Sequence, residues 1–209
     1  PLYTPFEVAY MSNDCGAKTI ICQDTNFGYV RDIVEKGSLK TIIFTNIGDM
    51  LPWWKRLVGL LFDKVPHGTI EKGEGIWNFM DLLKHPPKPP QVQIKTPEEH
   101  LAFILYTGGT TGFPKGVPWT HAGLYYSGLF EWLEVLKGSV IEEGNSRLIL
   151  QLPLFHILGL DILLAFGLIE GNTSILIPFP QVDAILECIQ RYKANLFFGV
   201  PTLYRMILE

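Results

Sequence analysis

The chain has 209 residues, of which 47% are hydrophobic and 18% are charged, and this composition predicts a folded protein with a buried core. It excludes an intrinsically disordered chain. The formal net charge is −4, and the lysines and arginines are dispersed along the sequence, so the charge pattern argues against a nucleic-acid partner.

Short apolar runs rich in branched residues alternate with segments of helical length and periodicity. The predicted strands are 18–22, 41–46, 101–106, 147–151, 174–178 and 196–200. The predicted helices are 27–36, 121–136, 157–169 and 182–193, and another begins after Pro201. This alternation predicts an α/β fold of three layers, in which helices cover both faces of a mainly parallel sheet.

A proline-rich segment, 84–97, divides the chain. Proline suits neither the interior of a helix nor a central strand, so this segment predicts an extended surface connector. It separates a front α/β segment, 1–83, from a second α/β segment, 98–209.

The front segment includes an amphipathic stretch, 51–65, in which Trp53 and Trp54 stand beside Lys55 and Arg56. It is too short to span a bilayer, which needs about 20 apolar residues, but its composition suits a membrane interface. The more common use of such a pattern is a helix packed on the protein's own core. On a helix, one face would carry Trp54, Leu57, Val58, Leu61 and Val65.

The three cysteines, Cys15, Cys22 and Cys188, are odd in number and lack the spacing of metal ligands. This pattern is more typical of reduced thiols in a cytosolic protein than of a disulfide framework. We therefore expect buried, unreactive thiols in a cytoplasmic protein.

The segment 106–116 follows the predicted strand 101–106 and reads Tyr-Thr-Gly-Gly-Thr-Thr-Gly-Phe-Pro-Lys-Gly. Glycines let a backbone approach an anion closely, while threonine hydroxyls and a lysine ammonium supply donors and positive charge. In parallel sheets ligands bind beyond the carboxyl ends of the strands, where this loop is expected. It therefore predicts a site for nucleotide phosphates. The candidate binding residues are Thr107, Gly108, Gly109, Thr110, Thr111, Gly112 and Lys115.

The spacing of these residues excludes two common phosphate loops. Lys115 stands between Pro114 and Gly116, so the Gly-Lys-Ser/Thr of a Walker loop is missing. The dinucleotide fingerprint Gly-x-Gly-x-x-Gly does not fit the glycines either. A plain hairpin turn is the remaining alternative, but such turns need about two to five residues and would not collect these threonines and a lysine.

The run Thr-Gly-Gly-Thr-Thr-Gly-x-Pro-Lys-Gly resembles the phosphate-loop signature of the adenylate-forming superfamily, which includes acyl-CoA synthetases, luciferases and nonribosomal peptide adenylation domains. The resemblance covers nearly the whole chain, in the family's order. The other matching segments are Asn13–Lys18, with Cys15 in place of a serine, Thr120–His121, Pro153–His156 with Gly159, and Gly199–Thr202.

The resemblance implies an enzyme that uses ATP and Mg²⁺ to activate a carboxylic acid as acyl-AMP, releases pyrophosphate and passes the acyl group to coenzyme A. It also implies a central fragment of a large N-terminal domain, because family members are usually more than twice as long. The apolar stretch 152–169 and the segment 51–65 favour a medium- or long-chain fatty acid. An aryl-acid or amino-acid ligase is the nearest alternative, and a noncatalytic nucleotide-binding or membrane-associated module is the alternative of another class.

The resemblance also implies roles for individual residues. Lys115 would stabilise the departing pyrophosphate, and His156 would lie beside the reacting carboxylate or the acyl tunnel, although a lone histidine after an apolar run is often structural. We expect His121 in the first turn of a helix that Thr120 caps. No metal ligand is predicted here, because the family's magnesium, ribose and C-terminal lysine motifs belong further downstream. The isolated chain is therefore expected to be inactive.

Overall fold

The computed structural model describes residues 3–62, 64–86, 88, 96–108, 112–127, 142 and 144–209. The chain forms two units, one of Pro1–Gln93 with Tyr106–Gly116 and one of Ile94–Leu105 with Val117–Glu209. Each unit contains a sheet of parallel strands with helices between them. The predicted α/β fold with mainly parallel strands is therefore confirmed.

The first unit contains a parallel sheet in the order β1 (Thr19–Gln23), β2 (Thr41–Thr45) and β3 (Ile76–Asn78). In its register Ile42 lies between Ile20 and Ile76. The helices of this unit are α1 (Pro5–Asp14), α2 (Phe27–Lys36), α3 (Trp53–Leu61) and α4 (Phe79–Lys84). Most of the predicted connector after Lys84 lies outside the described residues.

Helix α2 supplies much of the core of the first unit. Phe27, Val30 and Ile33 recur at helical spacing and are buried, and the first two pack with Ile42 of β2. Burial of one such side chain contributes about 1.5–3 kcal/mol. The predicted helix 27–36 is confirmed with these bounds.

Helix α1 was not among the predicted helices, but both of its ends are well defined. The Thr4 hydroxyl accepts from the amide of Glu7, and the Glu7 carboxylate accepts from the amide of Thr4 at 2.7 Å, which forms a capping box. Pro5 occupies the first turn, where its missing N–H costs nothing. Gly16, just past the end of the helix, has a φ of +67°, which favours glycine.

Helix α3 attaches to its unit through polar and backbone contacts. Arg56 Nη2 lies 3.2 Å from Asp49 Oδ1, and the carbonyl oxygen of Gly59 accepts from the amide of Lys64 at 2.7 Å. Val65 is buried, whereas the rest of the predicted apolar stripe is exposed, namely Trp54, Leu57, Val58 and Leu61. The alternative in which this stripe packs on the protein's own core does not hold in the described chain, except at Val65.

Strands β4 (Leu101–Thr107) and β5 (Lys115–Thr120) form a two-stranded sheet. β4 was predicted, but β5 was not, because Gly116 and Pro118 are poor strand residues. Helix α5 (His121–Tyr125) follows, and the Thr120 hydroxyl accepts from the Gly123 amide at 3.0 Å. The predicted cap is confirmed, while residues 128–136 of the predicted helix lie outside the described residues.

The second unit contains a parallel sheet in which β6 (Arg147–Leu150) lies between β7 (Thr173–Leu176) and β8 (Leu196–Phe197). β7 stops before Pro178, which has no N–H for a ladder hydrogen bond. β8 stops before Gly199, whose N–H donates to the Tyr204 hydroxyl at 3.1 Å. Both strands are therefore shorter than the sequence predicts.

Alternate side chains of β6 point to opposite faces of this sheet. Both faces are apolar, and helices cover each of them. Helix α6 (Ile157–Ile162) and the π-helical segment Leu163–Ile169 contribute to one face. Helices α7 (Val182–Tyr192) and α8 (Pro201–Leu208) contribute to the other. The buried cluster on the first face consists of Leu148, Leu150, Ile162 and Phe166. The buried cluster on the other face consists of Ile149, Ile177, Ile185 and Leu203. This unit thus has the predicted three layers.

Candidate phosphate-binding loop and the His156 turn

The threonine- and glycine-rich loop joins β4 to β5, since Thr107 ends one strand and Lys115 begins the other. Gly109, Thr110 and Thr111 lie outside the described residues. The loop follows the end of a strand, as predicted, and it connects two paired strands. Its span, 108–114, exceeds the usual hairpin turn of about two to five residues.

The start of the loop is held by helix α1 through Tyr106. The Tyr106 hydroxyl lies 2.6 Å from Asp14 Oδ2 and 3.2 Å from the carbonyl oxygen of Met11, and either can accept its proton. The carbonyl oxygen of Tyr106 accepts from the Tyr3 hydroxyl at 3.3 Å. Burial, followed by the hydrogen bond to Asp14, raises the pKa of Tyr106. The hydroxyl therefore remains a donor at neutral and moderately alkaline pH.

The end of the loop is held by the same helix through Phe113. Its ring stacks on Tyr10, with centroids 5.0 Å apart and planes 24° apart, and lies 5.9 Å from the ring of Phe6. Such aromatic pairs add about 0.5–1.5 kcal/mol beyond their buried area. The next residue, Pro114, is buried. Both ends of the loop thus lie against helix α1.

Between and beside these anchors, groups that bind anions remain available. Lys115 and Thr107 are exposed, and Lys115 forms no ion pair with any residue in the described part of the chain. A Cβ at Gly108 or Gly112 would meet no atom within 4 Å. The backbone here is open to a close approach, as a phosphate cradle requires. These residues therefore fit the nucleotide phosphates that the sequence predicts.

The matched segment Asn13–Lys18 fixes the end of helix α1 to the chain before β2. Asn13 Oδ1 accepts from the Ser38 amide at 2.8 Å. The Ser38 hydroxyl lies 2.9 Å from the carbonyl oxygen of Ser12 and 3.0 Å from that of Ala17. No local sequence pattern indicates that Asp14 is the partner of Tyr106, although Asp14 lies within this matched segment.

The cysteines differ in exposure. Cys15 is exposed, whereas Cys22 and Cys188 are partly buried, and all three are free. The expectation of a buried thiol is wrong for Cys15, because the end of α1 lies at the surface. Burial, with a smaller contribution from Asp24, raises the pKa of Cys22 to about 11. This thiol stays protonated near neutral pH, which makes it a poor nucleophile.

His156 lies beyond the carboxyl end of β6, as predicted, and is the N-cap of helix α6. Its Nδ1 accepts from the Leu158 amide at 3.3 Å. Its own amide donates to the carbonyl oxygen of Pro153 at 3.0 Å, and a Cβ on Gly159 would lie 2.4 Å from that oxygen. Because an accepting Nδ1 carries no proton, the ring proton is on Nε2. Because His156 is exposed, its Nε2–H can donate a hydrogen bond to a ligand.

Two other matched segments have structural roles. His121 begins α5, and its amide donates to the carbonyl oxygen of His100 at 3.0 Å, with the two rings 5.7 Å apart. The segment Gly199–Thr202 forms the exit from β8 and the start of α8, with Val200 as N-cap and Pro201 in the first turn. Both arrangements agree with the structural roles expected from the sequence.

Across the described residues, no group of three or more His, Cys, Asp or Glu side chains could hold a metal ion. In this described part of the chain, no helix is both long enough and apolar enough to cross a membrane.

Comparison with known proteins accounts for this arrangement of motifs. The model of the AMP-binding enzyme family matches residues 1–209. The chain belongs to this family. A long-chain-fatty-acid–CoA ligase from Salmonella typhimurium is 31% identical over 213 residues, which cover 100% of this chain and 37% of the ligase. The 4-coumarate–CoA ligase 2 of Nicotiana tabacum is 29% identical over 210 residues, which cover 100% of this chain and 34% of that protein.

The fold of this AMP-binding chain also has counterparts among solved structures. The crystal structure of a long-chain-fatty-acid–CoA ligase from Archaeoglobus fulgidus superposes with a TM-score of 0.66 at 22% identity. The match covers 100% of this chain and 35% of the solved chain. The chain therefore spans little more than a third of the length of the relatives it matches.

Proposed function

We propose that this chain is the phosphate-loop part of an ATP-dependent, AMP-forming acyl-CoA synthetase. The enzyme would activate a medium- or long-chain fatty acid as acyl-AMP, release pyrophosphate and form the acyl-CoA thioester, with ATP, coenzyme A and Mg²⁺ as cofactors. The observation that carries this proposal is the exposed Lys115, which follows a glycine-rich loop and forms no ion pair with the described residues, in a chain that matches AMP-binding enzymes over residues 1–209. The name of the Salmonella typhimurium relative supports the fatty acid as substrate.

The proposed task of the loop is to stabilise the leaving group. When a carboxylate oxygen attacks the α-phosphorus of ATP, the bond to the pyrophosphate oxygen breaks and negative charge develops there. Preorganised donors stabilise such charge better than mobile water does. The proposed donors are the Lys115 ammonium, the hydroxyls of Thr107, Thr110 and Thr111, and the backbone amides of Gly108, Gly109 and Gly112.

The proposed task of His156 is to orient the acid. Its Nδ1 is occupied by the Leu158 amide, so the ring is held in place while its Nε2–H stays available. A ring N–H that is held in this way can donate a hydrogen bond to an oxygen of the substrate carboxylate. His156 therefore stands as a substrate-binding proposal in addition to its capping role.

ATP–pyrophosphate exchange by the full-length enzyme, without coenzyme A, tests the proposed reaction. The acids would be a series of fatty acids of increasing length, with 4-coumarate and a set of amino acids for comparison. We expect exchange that rises with the length of the fatty acid. Exchange with only the aryl or amino acids would transfer the assignment to those ligases, and no exchange with any acid would favour a noncatalytic nucleotide-binding module.

We also propose that helix α3 brings this otherwise cytoplasmic enzyme to an anionic membrane surface. The helix is attached through Arg56 and Gly59, so its apolar side chains are left on the surface, with Trp53 78% exposed. The ammonium of Lys55 lies 5.3 Å from the centroid of the Trp54 ring, which places positive charge beside the exposed indoles. Tryptophan with adjacent lysine is typical of helices that lie in a membrane interface.

Vesicle flotation tests the membrane proposal. Full-length protein is expected to float with vesicles that contain anionic lipid, and the double variant Trp53→Ala/Trp54→Ala is expected to stay behind. Trp77→Ala is the matched control, because Trp77 is also exposed but lies on β3. Equal flotation of all three proteins would contradict the proposal, as would binding to neutral vesicles alone.

A further inference from the structure

Helix α1 contacts one residue that precedes the phosphate loop and one residue near the end of the loop. Tyr106, immediately before it, contacts the last turn of α1 at Met11 and Asp14. Phe113, near its other end, contacts the helix at Phe6 and Tyr10. The two attachment points therefore lie on one rigid element.

We propose that Tyr106 and Phe113 are positioning residues that hold the two ends of the loop on helix α1, so that Thr107 and Lys115 are in place before the nucleotide binds. This inference rests on the proposed function for its kinetic consequence, but the attachment itself is a property of the ligand-free protein. Neither residue supplies an obvious phosphate donor, because the Tyr106 hydroxyl is already directed to helix α1 and Phe113 is apolar.

The helix is suited to this task because it is fixed at both ends. The Thr4–Glu7 capping box sets its beginning. Its end is tied to the chain before β2, where Asn13 Oδ1 accepts from the Ser38 amide. A loop held on such an element loses less conformational freedom when it orders around a ligand.

The chemistry of the two attachments differs. Asp14 is ionisable and accepts from the Tyr106 hydroxyl at 2.6 Å, which is the geometry of a charge-assisted hydrogen bond. Phe113 relies on ring stacking, and it remains 57% exposed, so little of its area contributes to the core. Either attachment can therefore be removed without opening a buried cavity.

The first experiment measures the attachment without any ligand. Lys115 is followed by Gly116, so trypsin can cleave between them, and the rate of this cleavage reports how firmly the end of the loop is held. In full-length protein, Phe113→Ala is expected to be cleaved several-fold faster than wild type, while Phe113→Trp keeps the ring and stays close to wild type. Phe179→Ala is the matched control, because Phe179 is 76% exposed and lies in the second unit.

The second experiment measures the kinetic consequence. For Phe113→Ala we expect the KM for ATP in pyrophosphate exchange to rise about 2- to 13-fold, the ratio that corresponds to the usual energy of an aromatic pair. The KM for the acid should stay unchanged. Tyr106→Phe, which removes only the hydroxyl, should also raise the KM for ATP, and adding Asp14→Asn to it should have little further effect. Tyr125→Phe serves as the exposed tyrosine control.

The outcomes separate this inference from the proposed function. Faster cleavage of Phe113→Ala with no exchange activity in the wild type would keep the attachment and reject the ligase. Unchanged cleavage and an unchanged KM for ATP would overturn the attachment while leaving the ligase intact. Equal rises in the KM for ATP and for the acid, with a lower melting temperature, would also overturn it, because general destabilisation moves all three.

Discussion

The phosphate loop and the His156 turn both lie beyond the end of a strand, but they are built in different ways. The loop is held by contacts distant in sequence, because Tyr106 and Asp14 are 92 positions apart. The His156 turn is held by its own neighbours, since His156 contacts Pro153 and Leu158. One motif thus depends on tertiary structure for its geometry, whereas the other is almost self-contained.

The candidate side chains of the two regions, Lys115 and His156, also differ in availability. Lys115 forms no ion pair with the described residues, so its charge is free to act on an anion. His156 already uses one ring nitrogen to cap a helix. Substitution of Lys115 should therefore lower the rate of the reaction with little effect on the stability of the fold. Substitution of His156 should change both the reaction and the stability.

The largest expected effect comes from Lys115→Ala in the full-length enzyme. Removal of one preorganised donor costs about 2.7–4 kcal/mol of transition-state stabilisation, so the exchange rate should fall about 10²- to 10³-fold. The melting temperature should stay close to wild type, because Lys115 is exposed. A rate within a few-fold of wild type would remove Lys115 from the mechanism.

The next effect concerns packing in the His156 turn. Gly159→Ala would place a methyl group 2.4 Å from the carbonyl oxygen of Pro153, and overpacking of this kind costs about 1–3 kcal/mol. Gly28→Ala is the matched control, because a Cβ there meets nothing within 4 Å, and its effect on a helix should be neutral or stabilising. Denaturant unfolding checks both variants, and equal midpoints would contradict the tight approach at Gly159.

His156 itself should show a smaller effect on stability. Loss of an N-cap costs about 0.5–2 kcal/mol, so His156→Ala should lower the unfolding free energy by that order, while His156→Asn retains a cap and should not. If Nε2–H orients the acid, both variants should raise the KM for the acid. Full activity of His156→Asn would leave His156 with the capping role alone.

The smallest expected effect is the acid sensitivity of the helix that holds the loop. The hydrogen bond from the Thr4 amide, followed by that from the Thr4 hydroxyl, lowers the pKa of Glu7. A lowered folded-state pKa means that this stabilisation is present above the unfolded pKa and is lost as pH falls through the folded one. The stability difference between wild type and Glu7→Gln should therefore shrink on acidification. A difference that stays constant from neutral to acidic pH would contradict the capping box.

Local sequence patterns were enough to predict much of the fold. The buried run Leu148–Leu150 and the spacing of Phe27, Val30 and Ile33 indicate a strand and a helix directly. Strand β3 has only three residues, Ile76–Asn78, and gives no periodic signal. The capping box at Thr4 is a helix signal in the sequence, but no apolar stripe follows it, because several side chains of α1 contact the loop.

The sequence was enough to propose the donors of the candidate site, but it did not predict the contacts that hold the loop. Glycine, threonine and lysine in one short run have a chemistry that can be read from composition alone. The stacking of Phe113 on Tyr10 joins positions about a hundred residues apart, and the sequence has no local pattern that pairs them. The exposure of the α3 stripe was likewise hidden, because an amphipathic pattern does not say which surface covers it.

The most direct test of the account is amide hydrogen exchange of the segment 106–116 in the full-length enzyme, with and without ATP. We expect slower exchange in this segment when ATP is bound, and loss of that protection in Lys115→Ala. Binding of ATP that leaves exchange in this segment unchanged would contradict the assignment of the loop as the phosphate site.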